Sequence, residues 1–173
     1  LSMANSGQAC VSQSRLIAPR HLLAQILERA RDAMTQWPAG NPLDANTRLG
    51  PVATRGQFER VRSMIERAQE GGLHPPGQGE GYYVAPTLFS DVVPTMEIAQ
   101  AEVFGPVLAV MAYDSEAEAV ALANATRYGL SGAVWSRDKA RATAFARSMR
   151  TGQVVINGAP QNLATPFGGW GWS

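Results

Sequence analysis

Apolar residues return along this chain at two different periods, and the alternation between them outlines the elements. Arg15-Leu16-Ile17-Ala18 is a short apolar run closed by Pro19, after which Leu23, Ile26, Leu27, Ala30 and Met34 recur at helical spacing. A strand and then a helix are expected. From Trp37 to Gly50, prolines, glycines and asparagines replace any apolar period, which predicts a connecting loop. The next helix has Thr54 and Gln57 in capping-box register, Phe58, Val61, Ile65 and Ala68 on one face, Arg60 and Glu66 outward, and Gly71-Gly72 as its stop. The glycines and prolines from Gly71 to Gly81 resemble a phosphate cradle only superficially, because no strand precedes them and no lysine or helix start follows; a surface loop is expected.

Continuous apolar runs then appear at Val107 to Met111, Gly132-Ala133-Val134-Trp135 and Val154-Val155-Ile156, a pattern suited to strands covered on both faces. One helix separates each pair. Ser115 with Glu118 caps the first, and Asp138 caps the second, with Ala142, Phe145, Ala146 and Met149 inward and Gly152 at its end. Strand, helix, strand, helix, strand predicts an α/β fold: a parallel open sheet with helices on both faces and a site at the carboxyl ends of the strands.

Composition narrows the classes without choosing among them. The chain has 173 residues, enough to bury a core as one domain, and a formal charge of +1 with 17% charged residues, which gives no field for nucleic acid or an anionic membrane. No apolar run reaches the roughly eighteen residues that span a bilayer. One cysteine cannot form an internal disulfide, so a cytoplasmic location is expected. The chain opens at Leu1 without the pattern of a signal peptide, and Leu1 is read as a cut end. The acceptor-like Asn124-Ala125-Thr126 is a chance match in such a compartment.

The candidate chemistry centres on Asn5-Ser6-Gly7-Gln8-Ala9-Cys10. Gly7 permits a tight turn, and a short helical turn starting at Gln8-Ala9-Cys10 would aim free amides at the sulfur and favour thiolate. Taken alone, Cys10 reads better as a small buried hydrophobe. A cysteine hydrolase needs a histidine, and His21 and His74 lack any partner motif; the same residues show no ligand spacing for a metal, so no metal site is expected.

The Cys10 segment resembles the active-site segment of the NAD(P)-dependent aldehyde dehydrogenase superfamily, and Ala101-Glu102-Val103-Phe104-Gly105-Pro106-Val107 resembles its second diagnostic segment, in the family's order and spacing. Leu49-Gly50-Pro51-Val52, Val84-Ala85-Pro86-Thr87-Leu88-Phe89, Asn124 to Leu130 and Pro166-Phe167-Gly168-Gly169 are similar to further family landmarks, so the resemblance covers nearly the whole chain. It implies that Cys10 attacks an aldehyde, forming a thiohemiacetal that passes its hydride to NAD or NADP and leaves a thioester for water. It also implies that Glu102 accepts hydrogen bonds from the nicotinamide ribose, that Phe104 packs beside that part of the cofactor, that Gln57 is a further ribose contact and that Phe167 lies near the substrate entrance. On an extended segment Glu102 and Phe104 would share one side.

In the family, the side-chain amide of the oxyanion hole and the glutamate base for deacylation belong to an earlier part of the chain. The residues 1–173 therefore correspond to part of the catalytic domain, without the dinucleotide-binding domain. Weak or no cofactor binding and no turnover by this chain alone are expected, with a homo-oligomeric parent enzyme. Gly171 stands where the family usually has lysine. The alternatives are a non-catalytic oligomerisation or interaction module that retains the fold, a hydrolase using the same thiol, and a branch of the family in which CoA takes the place of water.

Overall fold

The structure, a computed structural model, describes residues 2–69, 81–160 and 164–173. The expected helix stop at Gly71-Gly72 and all of the expected loop except Gly81 lie outside the described residues. The chain divides into two compact units, Leu1–Ala112 and Tyr113–Ser173, each described by itself.

In the first unit, a 3₁₀ turn at Ala4–Gly7 precedes strand β1 (Arg15–Pro19), helix α1 (Leu23–Thr35), helix α2 (Arg55–Gln69), strand β2 (Thr87–Phe89), the single helical turn α3 (Glu97–Gln100) and strand β3 (Val107–Tyr113). The sheet order is β1-β3-β2, and β2 runs parallel to β3 with Thr87 opposite Val107 and Phe89 opposite Ala109. The strand and helix predicted after the cysteine segment and the apolar run at Val107 are all present. β2 was not anticipated, because three residues after a proline carry no readable period.

Burial follows the apolar pattern. Val61, Met64 and Ile65 of α2 and Val107, Ala109, Val110 and Met111 of β3 are buried, together with Leu49, Val52 and Val84 from the connecting segments. Helix α1 behaves differently: its apolar positions Leu23, Ile26, Leu27, Ala30 and Met34 are only half-buried.

In the second unit, helix α4 (Glu116–Ala123), strands β4 (Tyr128–Gly129) and β5 (Ser131–Val134), helix α5 (Lys139–Ser148), and strands β6 (Gln153–Ile156) and β7 (Trp170–Gly171) follow in order. β5 and β6 pair in parallel across α5, as the strand-helix-strand pattern predicts. Side chains expected to be covered on both faces are mostly half-buried in these strands, and β5 stops at Val134, leaving Trp135 72% exposed. The physical reason is width: a two-stranded sheet cannot enclose its own residues.

Local signals set the helix ends. Asp138 Oδ1 accepts from the Arg141 amide at 3.0 Å. Ser115 Oγ accepts from Glu118 N at 3.2 Å, while the Glu118 carboxylate accepts from Asp114 N at 2.7 Å, one residue before the position a capping box uses. Asn124 ties the ends of α4 and α5: its Nδ2 donates to the Ser148 carbonyl at 2.8 Å, and its Oδ1 accepts from Arg150 N at 2.7 Å.

β7 runs antiparallel to β4, and Arg127 lies over the Trp172 ring at 4.3 Å. Gly171 has φ 65°, and a Cβ on it would collide with the Arg127 carbonyl. In this backbone conformation only glycine fits at position 171.

Replacing Asn124 by Ala removes both side-chain hydrogen bonds and leaves the Arg150 amide to water. The expected loss is about 1–2 kcal/mol, read as a lower urea midpoint at unchanged slope. An unaltered midpoint contradicts the junction role.

Candidate functional site

The cysteine segment has an unusual backbone conformation, supported by bonds within it and by bonds to Gly50 and Ala53. Asn5 (φ 52°) and Ser6 (φ 54°) are both left-handed and Gly7 follows at φ 71°. For a residue with a Cβ that conformation costs roughly 1–2 kcal/mol, so the surroundings must hold it. They do so through hydrogen bonds. Buried Ser6 donates from Oγ to the Gly50 carbonyl at 2.9 Å. Asn5 Nδ2 donates to the Gln8 carbonyl at 3.1 Å, and the Gln8 amide returns a bond to the Asn5 carbonyl at 3.0 Å. Gln8 Oε1 accepts from Ala53 N at 2.9 Å.

Cys10 emerges from this anchored segment exposed to solvent, in a turn where Ser12 N donates to the Ala9 carbonyl at 2.9 Å. Within this chain the thiol is not enclosed by apolar side chains. The expected helical turn beginning at Gln8-Ala9-Cys10 is also absent: the helical turn is Ala4–Gly7 and ends before the sulfur. Gln8 is committed to Asn5 and Ala53, which leaves residues 8 and 9 irregular and no helix start beneath Cys10.

The second candidate segment is built by α2. Gln57 Nε2 donates to the carbonyls of Val103 at 3.1 Å and Phe104 at 3.0 Å. Arg60, one turn further along the helix, donates from one guanidinium nitrogen to Val103 O at 2.8 Å and from the other to Glu102 O at 2.7 Å. Thr54 Oγ1 accepts from the Gln57 amide at 3.2 Å, so half of the predicted capping box forms while the Gln57 side chain serves the 103–104 carbonyls.

The extended alternation expected for Glu102 and Phe104 is broken, because Phe104 is left-handed at φ 54°. The next residue explains it: a Cβ on Gly105 would lie 2.6 Å from Val61 Cγ1, so the chain turns close against α2 at this point. The Glu102 carboxyl is half-buried and titrates above the ordinary glutamate range, because burial disfavours its charge more than the Arg60 guanidinium restores it. Among the described residues no side chain donates a hydrogen bond to that carboxylate.

One close approach joins the two segments. A Cβ on Gly7 would collide with the Gly105 carbonyl, so the backbone three residues before the cysteine lies directly against the backbone that follows Phe104. The structure thus brings the Cys10 segment, Gln57, Glu102 and Phe104 into one connected region of the first unit. Cys10 lies before β1 and Phe104 before β3, and the two segments are set against each other by α2 and a glycine contact.

Phe167 belongs to the second unit, where it is 65% exposed. His21 is exposed beside the start of α1, and His74 lies outside the described residues. Sequence reasoning missed Arg60, which it had placed on an outward face. The available signal was its position one turn after Gln57 on the same face of α2.

The chain matches the family model described as the aldehyde dehydrogenase family over residues 1–173. It is 40% identical over 174 residues to a geranial dehydrogenase of Castellaniella defragrans, covering 97% of this chain and 36% of that protein. It is 39% identical to a 3-succinoylsemialdehyde-pyridine dehydrogenase of a Pseudomonas species, covering 97% and 37%. Among solved structures, a cysteine-to-alanine mutant of aldehyde dehydrogenase C from Pseudomonas syringae, complexed with NAD+ and octanal, superposes with a TM-score of 0.94 at 39% identity, covering 98% of this chain and 37% of that one. An aldehyde dehydrogenase of Mycobacterium tuberculosis complexed with NAD+ gives 0.93 at 38% identity, with coverage of 98% and 37%. The chain thus spans little more than a third of the length of these relatives. Among the described residues no helix is long and apolar enough to cross a membrane.

The glycine contact predicts opposite outcomes at two sites. Gly7→Ala forces a Cβ into the Gly105 carbonyl at positive φ and should destabilise the first unit by about 2–4 kcal/mol. Gly56→Ala, in α2 with nothing within 4 Å, should stabilise by up to about 1 kcal/mol. Thermal unfolding of both variants checks this, and equal melting temperatures contradict the contact.

Proposed function

The chain belongs to the aldehyde dehydrogenase family, and from that premise we propose that it is the cysteine-bearing part of the catalytic domain of an enzyme that oxidises an aldehyde to a carboxylic acid. The observation that carries this reading is the exposed Cys10 thiol on a segment whose Gly7 lies against the backbone of the Glu102–Phe104 segment. A non-catalytic module has no use for an accessible thiol at the end of a strained, externally anchored turn.

Cys10 acts as the nucleophile. Its thiolate forms a sulfur–carbon bond to the aldehyde carbon, and the carbonyl electron pair moves to oxygen to give a thiohemiacetal. The Cys10 backbone amide is the local donor to that oxyanion. When bound, NAD or NADP supplies a hydride acceptor. Loss of hydride leaves a thioester on Cys10. Water then adds to the thioester, the sulfur–carbon bond breaks, and the acid leaves with the thiolate restored. Thiol suits both halves of the cycle, as nucleophile and as leaving group.

Glu102, Phe104 and Gln57 make the cofactor side. Ribose hydroxyls are paired donors and need an acceptor, and the Glu102 carboxylate has no side-chain donor of its own among the described residues. Phe104 offers a half-exposed ring two residues away, and Gln57 holds the intervening carbonyls. The donor set therefore fits the ribose portion of a nicotinamide nucleotide. These few contacts cannot offset the entropy of binding a whole dinucleotide, so the rest of the affinity comes from a dinucleotide-binding domain elsewhere in the full enzyme. In this reading the working enzyme is a homo-oligomer.

Two measurements test the assignment. Cys10→Ser should abolish aldehyde oxidation in the intact enzyme, and residual oxidation in the serine variant contradicts the role. Cofactor affinity should fall as pH drops, because only ionised Glu102 accepts from both hydroxyls, and its raised pKa brings protonation in at a higher pH than for an ordinary glutamate. Glu102→Gln should flatten that dependence, and an unchanged profile contradicts the ribose contact.

A further inference from the structure

Arg60 of α2 spends its charge on backbone carbonyls of the candidate site: it bonds Val103 O at 2.8 Å and Glu102 O at 2.7 Å. Its neighbours on the helix use their charges otherwise, Arg62 with Glu66 at 3.1 Å and Arg67 with Glu97 at 2.8 Å. Gln57 adds bonds to Val103 O and Phe104 O, so three successive carbonyls are gripped by two side chains one helical turn apart. Guanidinium suits this task because its planar fork presents two parallel donors at a fixed spacing, which an ammonium cannot do.

We propose that Arg60, assisted by Gln57, is a positioning residue that fixes the backbone on either side of Glu102 and so determines where the Glu102 carboxylate is presented to a vicinal diol of ribose type. The ligand half of this statement rests on the aldehyde dehydrogenase reading; the clamp itself does not. The geometry requires such a device. Residues 102–104 lie in no regular element, Phe104 is left-handed, and no side-chain donor among the described residues fixes the Glu102 carboxylate. With the backbone loose, the carboxylate would sample many directions and a two-point contact to a diol would lose its preorganisation.

The clamp also acts toward the nucleophile. Gly105 follows directly after the clamped carbonyls, and its own carbonyl is the surface on which Gly7 rests. Arg60 therefore holds the cofactor side directly and the Cys10 side through one backbone contact, and its removal should affect the first far more than the second.

The experiment compares Arg60→Met and Arg60→Lys in two settings. In the 173-residue chain, ¹⁵N relaxation and carbonyl ¹³C shifts are recorded for residues 102–104. The methionine variant should lower the backbone order parameters there from about 0.85 toward about 0.6 and move the Glu102 and Val103 carbonyl signals. The lysine variant, able to hold one carbonyl at a time, should fall between. In the intact enzyme, Arg60→Met should raise KM for the nicotinamide cofactor on the order of tenfold, with Arg60→Lys recovering part of the loss and the rate of Cys10 alkylation by iodoacetamide staying within about twofold.

Unchanged order parameters in Arg60→Met overturn the clamp. A loosened segment with an unchanged cofactor KM overturns its role in presenting Glu102. Absence of dehydrogenase activity in the unmodified intact enzyme, alongside a segment that loosens in Arg60→Met, brings down the aldehyde dehydrogenase reading and leaves the clamp standing. Because Arg60 is an exposed residue at the surface of α2, neither variant removes buried apolar contacts, and both are expected to fold.

Discussion

Everything assigned to this site depends on two glycine backbones being allowed to touch. Gly7 and Gly105 are distant in sequence, and the approach of one to the other's carbonyl leaves no room for a side chain. Interiors are packed too densely for such a contact to be adjusted gradually: either Gly7 lacks a Cβ or the segments separate, while Gly105 lacks one because Val61 of α2 fills that space. The contact sets the Cys10 segment against the Glu102–Phe104 segment, and those two segments carry the residues of the proposed chemistry.

A contact of that kind has no adhesive strength of its own, so its support comes from neighbours. On one side Ser6 and Gln8 bind the left-handed turn to Gly50 and Ala53, and Asn5 ties the turn to Gln8. On the other, α2 presses Val61 against Gly105 and grips the preceding carbonyls with Gln57 and Arg60. α2 itself is secured by burying Val61, Met64 and Ile65 completely or nearly so. The chain of cause therefore runs from an apolar stripe read at helical spacing, through a rigid helix, to two polar side chains that hold irregular backbone. Reactive groups on loops gain definition in this way, from a packed scaffold beneath them.

Most of that scaffold was legible in the sequence. The strand ending at Pro19, the helix period through Met34, the caps at Asp138 and Ser115, and the run from Val107 all appear where pattern and capping chemistry put them. What pattern could not supply was the left-handed backbone at Asn5, Ser6 and Phe104. At Ser6 and Phe104 they accompany contacts forty and more residues away, Ser6 with Gly50 and Gln57 with Phe104, that no local propensity encodes, whereas Asn5 is a residue type that tolerates this region and bonds its near neighbour Gln8. The same limitation explains Arg60, whose partners are carbonyls of a distant segment and leave no trace in side-chain periodicity. The site residues were recognisable because their motifs resemble a family's. Their geometry had to be seen.

The central claim is that Cys10 carries the substrate covalently. It is tested most directly by mixing the intact enzyme with an aldehyde and NAD+, quenching in acid within the turnover time, and mapping the protein by peptide mass spectrometry. The account predicts an acyl group on the peptide containing Cys10, cleavable by hydroxylamine as a thioester is. Aldehyde consumption with that peptide unmodified at every quench time would contradict it.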